Sequence, residues 1–183
     1  MYRIISFTLI VGTLLCSACT GNDLHKKKSE ADLRWFKETA VTLPDNMLAK
    51  HCDEQMSPDT TLLQRPLKMV IYVNQEGCQD CRLMALSRTY MFILENEYRK
   101  NFGVILILNT PRMEATNHTL TEMRFRRTVF YDLDGSFERL NPHLPANEGF
   151  HTFLLNEDNK VILVGNPAHS TKLKQQYLAA LDK

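Results

Sequence analysis

Apolar and polar positions along this chain alternate between short buried runs and helical stripes. Residues 67–74 read Leu-Lys-Met-Val-Ile-Tyr-Val-Asn, a β-branched and aromatic run that predicts a buried strand. A helix is expected over 78–98, where Leu83, Leu86, Tyr90, Leu94 and Tyr98 recur at three- and four-residue steps. Asn101-Phe102-Gly103 supplies its stop signal, and 104–108 is the unbroken apolar run of a central parallel strand. Pro111 opens a weaker helical segment reaching about Arg127, and a short strand follows at 128–132, closed by Asp134-Gly135. Runs at 152–155 and 160–164 flank Asn156-Glu157-Asp158-Asn159 and predict an antiparallel hairpin. A last helix over 170–181 collects Leu173, Tyr177, Leu178 and Leu181 on one side.

The two ends of the pattern differ from this middle. Arg3 precedes an apolar stretch over 4–15, broken only by Ser6, Thr8, Gly12 and Thr13. That length falls short of the roughly 20 residues a spanning helix needs, so residues 1–18 read as a signal peptide rather than an anchor. The segment ends Leu15-Cys16-Ser17-Ala18-Cys19 and turns polar at Thr20-Gly21-Asn22-Asp23. Ala18-Cys19 resembles a bacterial lipoprotein signal, with Cys16 as a departure where that family usually has Leu. The resemblance implies lipidation of Cys19 and attachment to a membrane; ordinary cleavage after Ala18 would cut the same bond without lipid. Residues 19–34 are expected to be a linker. Its Lys26-Lys27-Lys28 cluster reads as a solvated tether, with contact to anionic head groups as the alternative. From about Leu33 the composition turns globular, with Trp35, Phe36 and Val41 ahead of the turn signal Pro44-Asp45-Asn46. The segment around His51-Cys52-Asp53 is expected to be a connection or a short N-terminal strand pair beside the main sheet. Trp35, Tyr90 and Tyr98 are expected in the core.

Charge narrows the partners little. The chain carries 22 basic and 21 acidic residues, and nothing in it resembles a nucleic-acid surface. Cysteine narrows more. Once the leader is gone, Cys52, Cys78 and Cys81 remain besides Cys19, an odd count unlike a disulfide scaffold. A chain of this length buries a core without staples, so cysteine here points to chemistry. Cys78-Gln79-Asp80-Cys81 directly follows the predicted strand and begins the predicted helix. Backbone N–H groups and the helix dipole there favour a Cys78 thiolate, and Cys81 lies close enough to close a disulfide. Zinc is the competing use of this motif, but no second C-x-x-C exists to complete a closed site. Cys52 reads as a buried, inert thiol, with a resolving role as the alternative.

In this order of elements the chain resembles the thioredoxin-like fold of the redoxin type, over residues 67–183, with 35–66 as an N-terminal extension. The resemblance implies an α/β domain over 35–183, a central mixed sheet flanked by helices, with an added strand between the second helix and the hairpin. It also implies a thiol–disulfide oxidoreductase in which Cys78 attacks and Cys81 resolves. No cofactor beyond the Cys78–Cys81 disulfide is then needed. The partners are protein thiols and disulfides, an electron donor the sequence does not name, and a membrane through the lipid on Cys19. The place is the cell envelope, facing the periplasm or the exterior.

Two departures from the family bear on mechanism. The stretch Glu76-Gly77-Cys78-Gln79-Asp80-Cys81 lacks the family's Trp and Gly-Pro, and Asp80 should oppose the Cys78 thiolate and make a less oxidising pair. His151 stands where the family has a cis-proline, and a trans bond is expected there because a non-proline cis bond costs about 2.5–4 kcal/mol. If His151 faces the dithiol it tunes the thiolate, or completes an open copper or zinc site with Cys78 and Cys81; otherwise it is a loop residue without chemistry. A binding module that keeps the fold without the enzymology is the alternative function. A peroxidase fits less well, because Asn74-Gln75-Glu76-Gly77-Cys78 lacks that branch's threonine.

Overall fold

Twin cores sit on the two faces of one six-stranded sheet, because β-strands send alternate side chains to opposite sides. The computed structural model describes residue 30 and residues 32–183; the leader, Cys19 and the lysine cluster lie outside the described residues. The strands are β1 (Leu48–His51), β2 (Leu67–Val73), β3 (Phe102–Leu108), β4 (Thr128–Tyr131), β5 (Thr152–Leu155) and β6 (Val161–Val164). The helices are α1 (Gln79–Asn96), α2 (Met113–Glu122), α3 (Ser136–Leu140) and α4 (Thr171–Leu181).

The sheet order is β1-β4-β3-β2-β5-β6. Strands β2, β3 and β4 run parallel, while β5 pairs antiparallel with β2 and with β6. The sheet is therefore mixed, and β4 is the added strand. Met69, Ile71 and Val73 of β2 join Leu83, Leu86 and Phe92 of α1 and Tyr177 of α4 on one face. Val70 and Tyr72 join Phe36, Phe137 and Phe153 on the other. Burial on both faces explains why β2 and β3 read as unbroken apolar runs.

The N-terminal extension belongs to the domain and reaches both sides of the sheet. Leu48–His51 pairs antiparallel with β4, and Ala40 bridges to Lys160 just ahead of β6. Buried Asn141 fastens it further, accepting from Thr42 N–H at 2.8 Å and donating to Thr42 O at 2.8 Å. Pairing with β1 removes open backbone donors and acceptors from the outer side of β4.

Several expectations are corrected. Residues 32–38 are helical, so the linker expected to reach residue 34 gives way to helix before its end. Trp35 is 54 % exposed and lies edge-on to His143, while its neighbour Phe36 takes the core position. Helix α1 ends at Asn96, and Tyr98 is 73 % exposed. Each four-residue step overshoots a full turn by about 40°, so the run 86, 90, 94, 98 rotates off the buried face. The inward positions are Leu83, Leu86, Thr89, Phe92, Ile93 and Asn96. Helix α2 is shorter than expected because Arg124 adopts a left-handed φ of 57° and Phe125 N–H closes on Leu120 O.

Candidate active site

The connection from β2 to α1 builds the site. Gly77 has a φ of +64°, a left-handed turn that an L side chain rarely adopts, and it delivers Cys78 to the start of the helix. Cys78 is the N-cap of α1. Its Sγ accepts the Cys81 N–H at 3.2 Å. The sulfurs are joined in a disulfide across a Cα–Cα separation of 5.3 Å, and both cysteines are exposed. An acceptor sulfur at an N-cap is the geometry that favours a thiolate once the bond is reduced.

The helix start is held by Gln79, a residue the sequence reading passed over. Its buried amide donates to Asn109 O at 3.1 Å and Asn74 O at 3.5 Å, the C-terminal exits of β3 and β2. Arg82, one turn beyond Cys78, was also missed. Its Nη1 donates to Asn74 Oδ1 at 2.5 Å and pairs with Glu148 Oε1 at 2.8 Å. The same guanidinium lies against Gly77, within 3.6 Å of where a Cβ would stand. Asp80 is exposed in the first turn, as expected, but Arg82 places a cation on the same turn of helix. The motif's charge is therefore not that of Asp80 alone. The only sequence signal for Arg82 was its four-residue spacing from the cap.

His151 follows a 3-10 turn, Glu148–Phe150, that leads into β5. No cis peptide bond occurs among the described residues, and the trans bond expected at His151 is present. The ring is 5 % exposed, 5.5 Å from the Tyr72 ring, with Nε2 2.8 Å from Pro145 O. A carbonyl only accepts, so Nε2 carries the proton and Nδ1 is left as a buried acceptor without a partner. Burial pushes the His151 pKa below its ordinary value, against the opposing pull of Glu148 and Glu138. Neither ring nitrogen bonds a sulfur. The described residues contain no group of three His, Cys, Asp or Glu side chains placed to hold a metal, and both sulfurs are held in the disulfide.

The turn before β5 also spends its own donors. Gly149 N–H goes to Asn147 Oδ1, Phe150 N–H to Asn147 O and His151 N–H to Glu148 O. Tyr72 lies behind it, its Oη near Asn109 and Glu138 but in hydrogen-bond geometry with neither.

Cys52 is 2 % exposed, and burial pushes its thiol up to about 11. It follows β1, three strands from β2, or about 14 Å at the usual strand spacing. A strand separation of that size exceeds disulfide reach, and the burial expected of Cys52 is present.

No protein-family model matches the chain, and no curated protein matches it. Solved structures do. A protein from Chlorobium tepidum assigned as a thiol:disulfide interchange protein, DsbE, superposes with a TM-score of 0.54 at 19 % identity, over 78 % of this chain and 96 % of that one. A mutant form of PrxQ from Xylella fastidiosa gives 0.51 at 9 % identity, over 78 % and 97 %. A thioredoxin-like protein from Bacteroides caccae gives 0.50 at 15 % identity, over 87 % of this chain and 56 % of that one. The chain has the thioredoxin-like fold, with a mixed six-stranded sheet flanked by helices. That fold carries a C-x-x-C disulfide, Cys78–Cys81, at the start of helix α1.

Proposed function

We propose that this protein is a thiol–disulfide oxidoreductase that reduces or exchanges protein disulfides through Cys78 and Cys81. The observation that carries the reading is the exposed Cys78–Cys81 disulfide at the N-cap of α1, with the Cys81 N–H aimed at Cys78 Sγ. In the reduced protein the Cys78 thiolate attacks one sulfur of a substrate disulfide. A mixed disulfide forms and the first substrate thiolate leaves. Cys81, as thiolate, then attacks Cys78 Sγ, the mixed bond breaks, and the second substrate thiolate leaves. Two electrons pass to the substrate, both thiolates take protons from water, and Cys78–Cys81 closes. An external dithiol donor must reduce the pair for the next cycle.

The leader and Ala18-Cys19 support a place in the cell envelope, with a lipid on Cys19 holding the domain at the membrane through the linker. Reduction of insulin disulfides by the dithiol-charged protein tests the activity. Turnover is expected from wild type and loss of it from Cys78→Ser; a Cys78→Ser protein matching wild type would sink the proposal. One observation favours a second reading, a binding module. The backbone N–H groups of residues 149–151 are already bonded within the turn, leaving no free donor there for an extended substrate. A Cys78→Ser/Cys81→Ser protein that keeps its biological role would favour that module.

A further inference from the structure

A cleft of about 300 Å³ opens against the connection that leads from β2 into Cys78 and has a one-sided chemistry. Asn74 and Glu76 line it from the connection that leads into Cys78, Glu138 and Asn141 from α3 and its end, and Pro145 and His151 from the segment ahead of β5. Two carboxylates face it and no lysine or arginine does. Nearby Arg82 is already engaged by Glu148 and Asn74. At the back, His151 is more than nine-tenths buried, and its Nδ1 is an acceptor that nothing in the protein satisfies. An unsatisfied buried acceptor costs roughly 1–3 kcal/mol. The groups facing the cleft are not grouped closely enough to hold a metal ion. A side-chain ammonium or guanidinium suits them, since it brings several N–H donors, no acceptor, and a positive charge for Glu76 and Glu138.

We propose that this cleft is a specificity pocket for a basic side chain of the substrate protein, close in sequence to the cysteine that bonds to Cys78. The proposal rests on the oxidoreductase reading and names the substrate class of that site. Glu76 lies two residues before Cys78, and the Arg82–Glu148 pair ties the His151 segment to α1, so cleft and dithiol belong to one surface.

The experiment has two arms. In the first, the reduced protein is given disulfide peptides differing only in one position near the cysteine: lysine, norleucine or glutamate. Wild type is expected to favour lysine over norleucine by about tenfold in kcat/KM, the scale of a hydrogen bond to a charged group. Glu138→Gln, at an exposed position, should bring that ratio below about threefold. Glu95→Gln is the control, about 24 Å along α1 from its first residue, and should leave the ratio at its wild-type value. Equal rates for all peptides, a ratio that Glu138→Gln does not lower, or an equal fall in Glu95→Gln would overturn the pocket.

The second arm needs no thiol chemistry. S-methylated forms of the same peptides are titrated into the Cys78→Ser/Cys81→Ser protein while the His151 ring resonances are followed. The lysine peptide is expected to shift them at lower concentration than the glutamate peptide. If no peptide is reduced in the first arm but this preference holds, the oxidoreductase reading fails and the pocket survives. Equal shifts from both peptides, or none, would overturn the pocket whatever the first arm returns.

Discussion

Arg82 on α1 and Glu148 ahead of β5 form an ion pair of 2.8 Å, although 66 residues separate them along the chain. The pair joins the helix that carries the dithiol to the turn that carries His151. Arg82 also reaches Asn74 Oδ1 and lies over Gly77, so one guanidinium joins the connection that leads into Cys78 to the turn ahead of β5.

Removing that cation should leave the Cys78 thiolate less favoured. We expect Arg82→Met to slow alkylation of the reduced protein by iodoacetamide at pH 7 by about two- to fivefold, in line with the 0.2–1 kcal/mol of a partly exposed charge contact. The pH–rate profile should move to higher pH, and Arg82→Lys should restore part of the rate by keeping charge without the fork. A profile identical to wild type would detach Arg82 from the thiol chemistry.

Gln79 tests the scaffold beneath the site. Its amide satisfies the Asn109 carbonyl in a buried setting, and Gln79→Ala leaves that acceptor unpaired and opens a small void. A loss of about 1–3 kcal/mol in urea unfolding is expected. An unchanged midpoint would mean that water replaces the amide at no cost.

Strand β2, the start of α1, strand β3 and the β5–β6 hairpin were legible in the sequence, because both-face burial and one-face burial leave different periods. The dithiol was legible for a related reason: two cysteines at a strand–helix junction carry their geometry in their spacing. Arg82 and Glu148 were not, since an ion pair between distant segments leaves no local pattern. His151 was placed correctly at a trans bond, but its partner, Pro145 O, comes from a loop whose path the sequence does not encode. Phe36 rather than Trp35 fills the core because the helical phase over 32–38 decides which neighbour turns inward.

Cys52 should be chemically silent in the folded protein. Its thiol, raised to about 11 by burial, is almost wholly protonated at pH 8 and shielded from reagent. Iodoacetamide at pH 8 is expected to label Cys78 and Cys81 in the reduced protein and to reach Cys52 only in denaturant. Peptide mapping by mass spectrometry reads the three sites separately. Native labelling of Cys52 at a rate near that of Cys81 would contradict its placement.

Acid should weaken the fold through two imidazoles, the buried His151 and the half-buried His143. Burial holds both His143 and His151 below the ordinary histidine value of 6.5. Between the folded value and 6.5, the unfolded chain binds protons that the folded chain refuses, so stability rises with pH across that interval. The folded state is thus fully favoured above about pH 6.5 and loses ground as pH falls through the lowered pKa. The nearby charges do not reverse the sign: Glu148 and Glu138 pull His151 up, Arg82 pushes it down, and desolvation outweighs them. Urea midpoints measured from pH 7.5 to 5.0 should fall for wild type, in a range where most carboxylates remain ionised. His151→Gln keeps an N–H for Pro145 O without a titrating ring, so its midpoint should fall less over the same interval. A slope as steep as wild type would place the acid sensitivity elsewhere, with His143 the next residue to replace.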